Sequence, residues 1–178
     1  EYFKNLIQID ADKNYKVVNG ELVWGKTMEG LSELTKLQYF SVKRHGFETI
    51  DFSNKPDLDW ITFSNSYLGE EYATLKQINF ENSNNIRRLA LLVTSIETLE
   101  ISNLSELERL SLTGAFKLKR LDLSKNTKLE TLDFGQRQYS PLLNCINVSQ
   151  EQYEKWSTEN KYSTFWDRYG DIVRVNCD

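Results

Sequence analysis

Apolar residues recur along most of the chain at a fixed spacing, in the pattern L-x-x-L-x-L. The clearest two copies span residues 118–123 and 129–134 and lie eleven residues apart. Nine copies, here called units, begin at Leu37, Phe47, Leu58, Leu75, Ile86, Ile96, Leu107, Leu118 and Leu129. Because units this short can bury their apolar positions only against neighbouring units, the pattern predicts a repeat architecture with one short strand per unit.

The spacing between units predicts how they stack. Successive units begin ten or eleven residues apart, except for one step of seventeen. Leucine-rich repeats need about 20–29 residues per turn, so two units should form one turn of about 21 or 22 residues. Strands then alternate between two parallel sheets. Sheet one is predicted to contain the units that begin at positions 37, 58, 86, 107 and 129, and sheet two those at positions 47, 75, 96 and 118.

The predicted fold is therefore a β-rich solenoid that forms a single domain over all 178 residues. The repeats occupy residues 37–135, residues 1–36 form an N-terminal cap, and residues 136–178 form a C-terminal α/β cap. Within that cap, Ser149 and Gln152 have capping-box spacing, which predicts a helix from about residue 150 to 159. A final short strand is expected at residues 172–175.

Outward-facing residues of neighbouring strands should form ladders across each sheet. The sheet-one ladder contains the aromatic and basic residues Tyr39, Trp60, Arg88 and Arg109 above a row of mostly small residues. These residue types are enriched at binding hot spots, so the four are candidate ligand-binding residues. In the alternative interpretation, the inserted loop covers Trp60, and the arginines pair with neighbouring glutamates. The outward residues of sheet two are an ordinary solvated polar set that includes Thr49, Gln77, Thr98 and Glu100.

The step of seventeen residues contains an inserted loop at residues 66–74, which carries Tyr67 and Tyr72. Insertions in repeat proteins often occur on the binding side, so both tyrosines are further candidates for ligand binding. They could equally fold back over the edge of the repeats, because a tyrosine contributes a large apolar surface.

A calcium loop is one interpretation of residues 10–21. Oxygen-bearing side chains occupy positions one, three, five and twelve of such a loop, namely Asp10, Asp12, Asn14 and Glu21. Position six requires glycine but is Tyr15. A hairpin or a polar connector is therefore the favoured interpretation, and no cofactor other than this calcium ion is suggested.

No catalytic constellation is found in the sequence. His45 is the only histidine, and its position between two units indicates a solvated turn residue. No phosphate-binding glycine loop or C-x-x-C pair occurs. The sequence therefore predicts a protein that is not an enzyme.

Charge and hydropathy exclude two classes of partner. The 26 acidic and 22 basic residues are scattered and give a net charge of −4, which argues against nucleic acid. No apolar run approaches the roughly 18 residues needed to cross a bilayer. A monomer that does not span a membrane is expected, while a cleaved signal or a lipid anchor is left open.

Cys145 and Cys177 both follow the last unit. A disulfide between them would stabilise the fold by roughly 3–4 kcal/mol in the chain-entropy model. Such a bond would indicate an exported protein. Two reduced, buried thiols are the alternative.

Two segments resemble internalin-like leucine-rich-repeat proteins, a superfamily of secreted and cell-surface bacterial proteins. Residues 30–37 (GLSELTKL) are similar to their lead-in, and residues 121–133 (LDLSKNTKLETLD) are similar to their repeats. Residues 10–21 and the region around Cys145, Trp156 and Cys177 look like the caps of those proteins. The resemblance implies an extracellular or cell-surface recognition module without catalysis.

Two functions are consistent with the sequence. The first is a recognition module that binds a protein or a glycan through sheet one and the inserted loop. The second is a structural spacer of a cell-envelope protein, which has no dedicated ligand and self-associates through its exposed aromatic residues.

Overall fold

The structure is a computed structural model that describes residues 5–12, 15–18, 21–26, 28–65 and 70–177. For residues 15–18, 21–24 and 71 the description covers the main chain only. The strands are β1 (Gln8–Asp12), β2 (Tyr15–Val18), β3 (Glu21–Trp24), β4 (Tyr39–Lys43), β5 (Thr49–Asp51), β6 (Trp60–Ser64), β7 (Gln77–Asn79), β8 (Arg88–Leu91), β9 (Arg109–Ser111), β10 (Arg120–Asp122), β11 (Thr131–Asp133), β12 (Cys145–Asn147) and β13 (Val173–Arg174). The helices are α1 (Gln150–Thr158) and α2 (Ser163–Tyr169), with 3-10 turns at Leu31–Glu33, Glu70–Tyr72, Arg137–Tyr139, Asn160–Tyr162 and Gly170–Ile172.

The largest sheet has six parallel strands in the order β1-β4-β6-β8-β9-β11. Its last five strands come from the five units assigned to sheet one, in the order predicted for them, so this sheet is called sheet one from here on. Strand β1 adds a sixth strand at the edge, with Gln8 opposite Tyr39. Residues 8–12, which we assigned only to an N-terminal cap, thus also extend the sheet.

The inward residues of sheet one form continuous apolar rows. Phe40, Ile61, Leu89 and Leu110 lie opposite one another in register, and none is more than 1% exposed. Successive side chains in a strand point to opposite faces, so the same register also aligns the polar residues on the outer surface. Phe40 contacts Phe52 across the core, with ring centroids 4.9 Å apart.

The prediction of one continuous second sheet is wrong. Strands β5 and β7 pair only with each other, whereas β10 pairs with β12, and β12 with β13. The parallel strands therefore form three sheets. The unit at Ile96 contributes no strand, and within the described residues no main-chain hydrogen bond involves residues 97–100.

Burial of side chains and pairing of strands have different physical requirements, which explains why the unit at Ile96 is buried but contributes no strand. Ile96, Leu99 and Ile101 are buried as the apolar pattern predicts. Pairing also requires neighbouring main chains to approach to about 4.8 Å, and the spacing of leucines contains no information about that distance. The surface formed by β5, β7 and residues 98–100 is called the opposite side below.

The C-terminal region is held to the last units by helix α1 and by the pairing of β12 with β10, and it contains a disulfide. The predicted capping box is present: the Ser149 hydroxyl accepts from the Gln152 amide, and the Gln152 side chain accepts from the Ser149 amide. Gln152 Nε2 also donates to the carbonyls of Leu123 and Asn126, each at 3.0 Å. The disulfide between Cys145 and Cys177 is confirmed.

The chain has further helical structure in this region that we did not predict, namely α2. Its residues Phe165 and Tyr169 pack on Phe134, with ring centroids 5.4 and 5.5 Å away. Neither helix in the described part of the chain is long and apolar enough to cross a bilayer.

Candidate functional site

Trp60 lies at the centre of the outer surface of sheet one and is held by three neighbours. Tyr39 approaches it edge-on with ring centroids 5.0 Å apart, and the guanidinium carbon of Arg88 lies 4.9 Å from the indole centroid. The indole nitrogen donates to the Thr62 hydroxyl at 2.9 Å. Trp60 nevertheless remains 36% exposed. A side chain that is ordered before binding loses little conformational entropy when a ligand covers it.

Arg88 and Arg109 lie opposite each other in the same ladder, with Arg88 also opposite Trp60. Neither arginine forms an ion pair with any described residue, and the Nε of Arg88 is buried without a hydrogen-bond acceptor. The arginine that does pair in this region is Arg87, whose Nε lies 2.6 Å from Asp59. The described residues therefore give no support to the alternative in which glutamates neutralise the two ladder arginines.

A shallow depression of about 280 Å³ lies beside these side chains. Ala90 and Ser111 form its floor, and Thr131 and Asp133 lie on the side away from Trp60. The small residues at positions 90 and 111 create the depression because Arg88 and Arg109, two positions earlier in the same strands, are much larger. Its volume is slightly below the range of about 300–1,000 Å³ typical of small-molecule pockets, so it suits a side chain of a larger ligand.

The inserted loop is described only in part. Tyr67 lies outside the described residues. Tyr72 belongs to the 3-10 turn Glu70–Tyr72 and is 43% exposed. The carbonyl of Tyr72 accepts a hydrogen bond from Asn65 Nδ2 at 2.7 Å, and Glu70 forms an ion pair with Lys117. Both contacts hold the end of the inserted loop against the repeats.

The prediction that His45 is a solvated turn residue is wrong. Its imidazole is 3% exposed and contacts Phe47 and Phe63, with ring centroids at 5.5 and 5.2 Å. Its main-chain amide donates to Asn65 Oδ1 and its carbonyl accepts from the Thr74 hydroxyl, at either end of the inserted loop. Both ring nitrogens are buried without partners among the described residues, and this burial lowers the pKa of His45 from 6.5 to about 4.

The calcium-loop residues are only partly described. Asp10 and Asp12 lie in the extended strand β1, and Asp12 Oδ1 accepts from Arg44 Nε at 2.7 Å. Asn14 and the side chain of Glu21 lie outside the described residues. Among the residues that are described, no three His, Cys, Asp or Glu side chains are grouped to hold a metal ion. Calcium binding therefore stays a prediction.

A cavity that we did not predict lies on the opposite side. Its volume is about 620 Å³, more than twice that of the depression on sheet one. Its lining includes Asp51, Gln77, Thr98 and Glu100, which we expected to be simply solvated. Residues 28–32 lie outside the repeats and also line it. The sequence signal for this part of the wall is the glycine at position 30. Gly30 adopts a left-handed conformation (φ 77°), which glycine tolerates, at the start of the turn that precedes the first unit.

No family model and no curated protein matches this chain.

Proposed function

We propose that this chain is a non-enzymatic recognition module in which the outer surface of sheet one binds a protein partner. The observation that carries the proposal is the ordered stack of Tyr39, Trp60 and Arg88 next to Arg109. Aromatic residues and arginine dominate binding hot spots, and such residues are usually surrounded by a rim of weaker contacts. A protein side chain fits the shallow depression better than an enclosed small molecule does.

The partner should present carboxylates to this surface. Arg88 and Arg109 have no acidic partner among the described residues, so their terminal guanidinium nitrogens can donate to a ligand, whereas the buried Nε of Arg88 cannot reach one. Arginine pairs with carboxylates through two parallel hydrogen bonds, which provides orientation as well as attraction. Association should therefore weaken as the salt concentration rises.

The fold that we propose for this function is a leucine-rich-repeat solenoid. The in-register pairing of alternate units in sheet one supports it, as does the burial of the inward leucines. Solenoids present extended surfaces on which a partner contacts several consecutive repeats. The resemblance of residues 30–37 and 121–133 to internalin-like proteins adds to this argument.

We further propose that the protein is exported and functions at a bacterial cell surface or in the surrounding medium. The disulfide between Cys145 and Cys177 supports export, because disulfides persist mainly in oxidising compartments.

An array of extracellular proteins and glycans, probed with the labelled chain, tests the proposed function. The matched probe is the double variant Trp60→Ala/Arg88→Ala, which removes the stack without changing an inward residue. We expect one or more immobilised proteins to bind the wild-type chain and to lose most of that signal with the double variant. Proteins that bind both forms equally, or an array on which only glycans bind, would contradict the proposal.

The structural-spacer function is the competing candidate, because an exposed tryptophan such as Trp60 also suits a contact between two copies. Sedimentation velocity over a range of protein concentrations separates the two. A recognition module should stay monomeric, whereas a spacer should self-associate through Trp60 and lose that association in Trp60→Ala.

A further inference from the structure

The cavity on the opposite side is lined by residues of the repeats and by residues of the segment that precedes the first unit. Ile50 and Ile78, which are neighbours in the β5–β7 pair, lie beneath its polar side chains and point toward the core. Leu31 and Met28 add apolar surface from the segment that precedes the first unit. A volume of about 620 Å³ is within the range of small-molecule sites.

The polar groups of the cavity are available to a ligand. Gln77, Thr98 and Glu100 make no side-chain hydrogen bond within the described residues. Asp51 uses one carboxylate oxygen, Oδ1, to accept from the Ser53 amide and from Asn79 Nδ2, at 2.9 and 3.0 Å. These bonds orient the carboxylate and leave its other oxygen, Oδ2, as an acceptor. An amide, a hydroxyl and two carboxylates are therefore present together in one concavity.

The charge of the cavity disfavours strongly acidic ligands and is partly compensated from behind its wall. Among the described residues its lining contains Asp51 and Glu100 and no lysine or arginine, so these residues repel an anion. Lys55 lies directly behind the wall and is 1% exposed, and its Nζ donates to the carbonyls of Ser32 and Ser53, both of which line the cavity. Asp51 interacts electrostatically with that ammonium group, so part of the negative charge is already compensated.

Polar strand side chains beside an apolar residue of the preceding segment match one class of neutral ligand. A sugar ring has hydroxyl groups around its edge and C–H bonds on its faces. The carboxylate oxygens of Asp51 and Glu100 can accept from hydroxyls, and the Gln77 amide and the Thr98 hydroxyl can both donate and accept. Met28, which lines the cavity and is half-buried, can contact the C–H face.

We propose that this cavity is a second binding site and that its ligand is a neutral oligosaccharide. The site does not depend on the proposed function of sheet one, because it lies across the core and shares no residue with the Trp60 surface.

Methyl NMR tests this inference on the full chain. The δ-methyl signals of Ile50 and Ile78 are followed while neutral trisaccharides of glucose, mannose, xylose and N-acetylglucosamine are added in turn. Trigalacturonate and trilysine serve as the anionic and cationic probes. We expect at least one neutral trisaccharide to shift both methyl signals at millimolar or lower concentration and to do so more strongly than either charged probe.

Two matched variants identify the groups responsible. Glu100→Gln removes a carboxylate that lines the cavity, whereas Glu97→Gln removes an exposed carboxylate nearby that does not. Glu100→Gln removes a hydrogen bond to a charged group, so the dissociation constant of the trisaccharide should rise about tenfold or more. Glu97→Gln should leave that dissociation constant unchanged.

Three results would overturn the inference. They are the absence of methyl shifts with every neutral trisaccharide, a stronger response to trigalacturonate or trilysine, and equal affinities of the two variants. None of them affects the test of sheet one, which uses Trp60 and Arg88.

Discussion

Sheet one and the opposite side share the same inward pattern of apolar residues but present different outer surfaces. In sheet one, six strands pair in register, and the outer surface carries Tyr39, Trp60, Arg88 and Arg109. On the opposite side the pairing stops after β5 and β7, and a cavity lined by polar residues and by residues 28–32 lies over the surface. The repeating positions thus determine what is buried, while the larger of the two concavities arises where a non-repeating segment meets the repeats.

The chemistry of the two surfaces also differs. Sheet one combines aromatic rings with two arginines that lack acidic partners among the described residues. The cavity combines Asp51 and Glu100 with amide and hydroxyl groups. The first surface suits an acidic protein partner and the second suits a neutral ligand with many hydroxyls, so one ligand is not expected to bind both.

Sheet one should share one hydrophobic core with the strands outside it, and the largest expected effect tests this core. Leu110 belongs to sheet one and Leu121 to β10, and they are 1% and 2% exposed. Changing either to Asp buries an unpaired charge, which should destabilise the protein by about 4 kcal/mol or more and abolish cooperative folding. Circular dichroism during heating measures the effect.

The matched control for Leu121→Asp is Arg120→Asp, because Arg120 is the exposed neighbour in the same strand. It should melt nearly as the wild type does. A normal cooperative melt in both leucine variants would contradict the shared core.

The disulfide should stabilise the fold by roughly 3–4 kcal/mol, because it closes a loop of about 33 residues in the unfolded chain. It joins β12, which pairs with β10, to the end of the chain. Urea denaturation of Cys145→Ser/Cys177→Ser beside the wild type should show this loss. Intact-mass analysis with and without a reductant provides an independent check, and two free thiols in protein purified under oxidising conditions would refute the bond.

His45 should make stability depend on pH. Burial lowers its pKa from 6.5 to about 4, so between these values the unfolded state binds a proton that the folded state does not. Stability from this group is therefore complete above pH 6.5 and is lost as the pH falls toward 4. At pH 4.5 the loss should be about 2–3 kcal/mol.

Urea denaturation at pH 7.5 and 4.5 measures this loss, and His45→Leu is the variant for comparison. The variant should retain the pH dependence due to carboxylates and lack the part due to His45. An identical pH dependence in both proteins would show that the imidazole is not held in its buried, neutral state.

Much of the fold could be predicted from residue types and spacing. The buried positions of the units, the order of the strands in sheet one and the capping box at Ser149 each follow from local patterns that have one physical explanation. The pairing of Cys145 with Cys177 follows from the placement of the only two cysteines after the repeats. These features depend on residues close in sequence or on a strict period.

The remaining features depend on contacts between segments that have no common period. The unpaired stretch at residues 97–100 and the wall formed by residues 28–32 depend on how closely main chains approach. Burial of His45 depends on Asn65 and Thr74, which lie 20 and 29 residues away. The ladder of candidate residues could be predicted because its positions repeat along the chain. The cavity could not be predicted, because part of its wall comes from a segment that does not repeat.

Two matched arginines provide the most direct test of sheet one as the binding surface. Arg109 and Arg120 each begin a three-residue strand and are exposed, but Arg109 lies in the ladder next to Arg88, and Arg120 lies in β10, outside sheet one. The affinity of a partner from the array is measured by surface plasmon resonance for Arg109→Ala and Arg120→Ala. We predict a loss of about tenfold or more for Arg109→Ala, in the hot-spot range, and no loss for Arg120→Ala. Equal affinities of the two variants would contradict binding through sheet one.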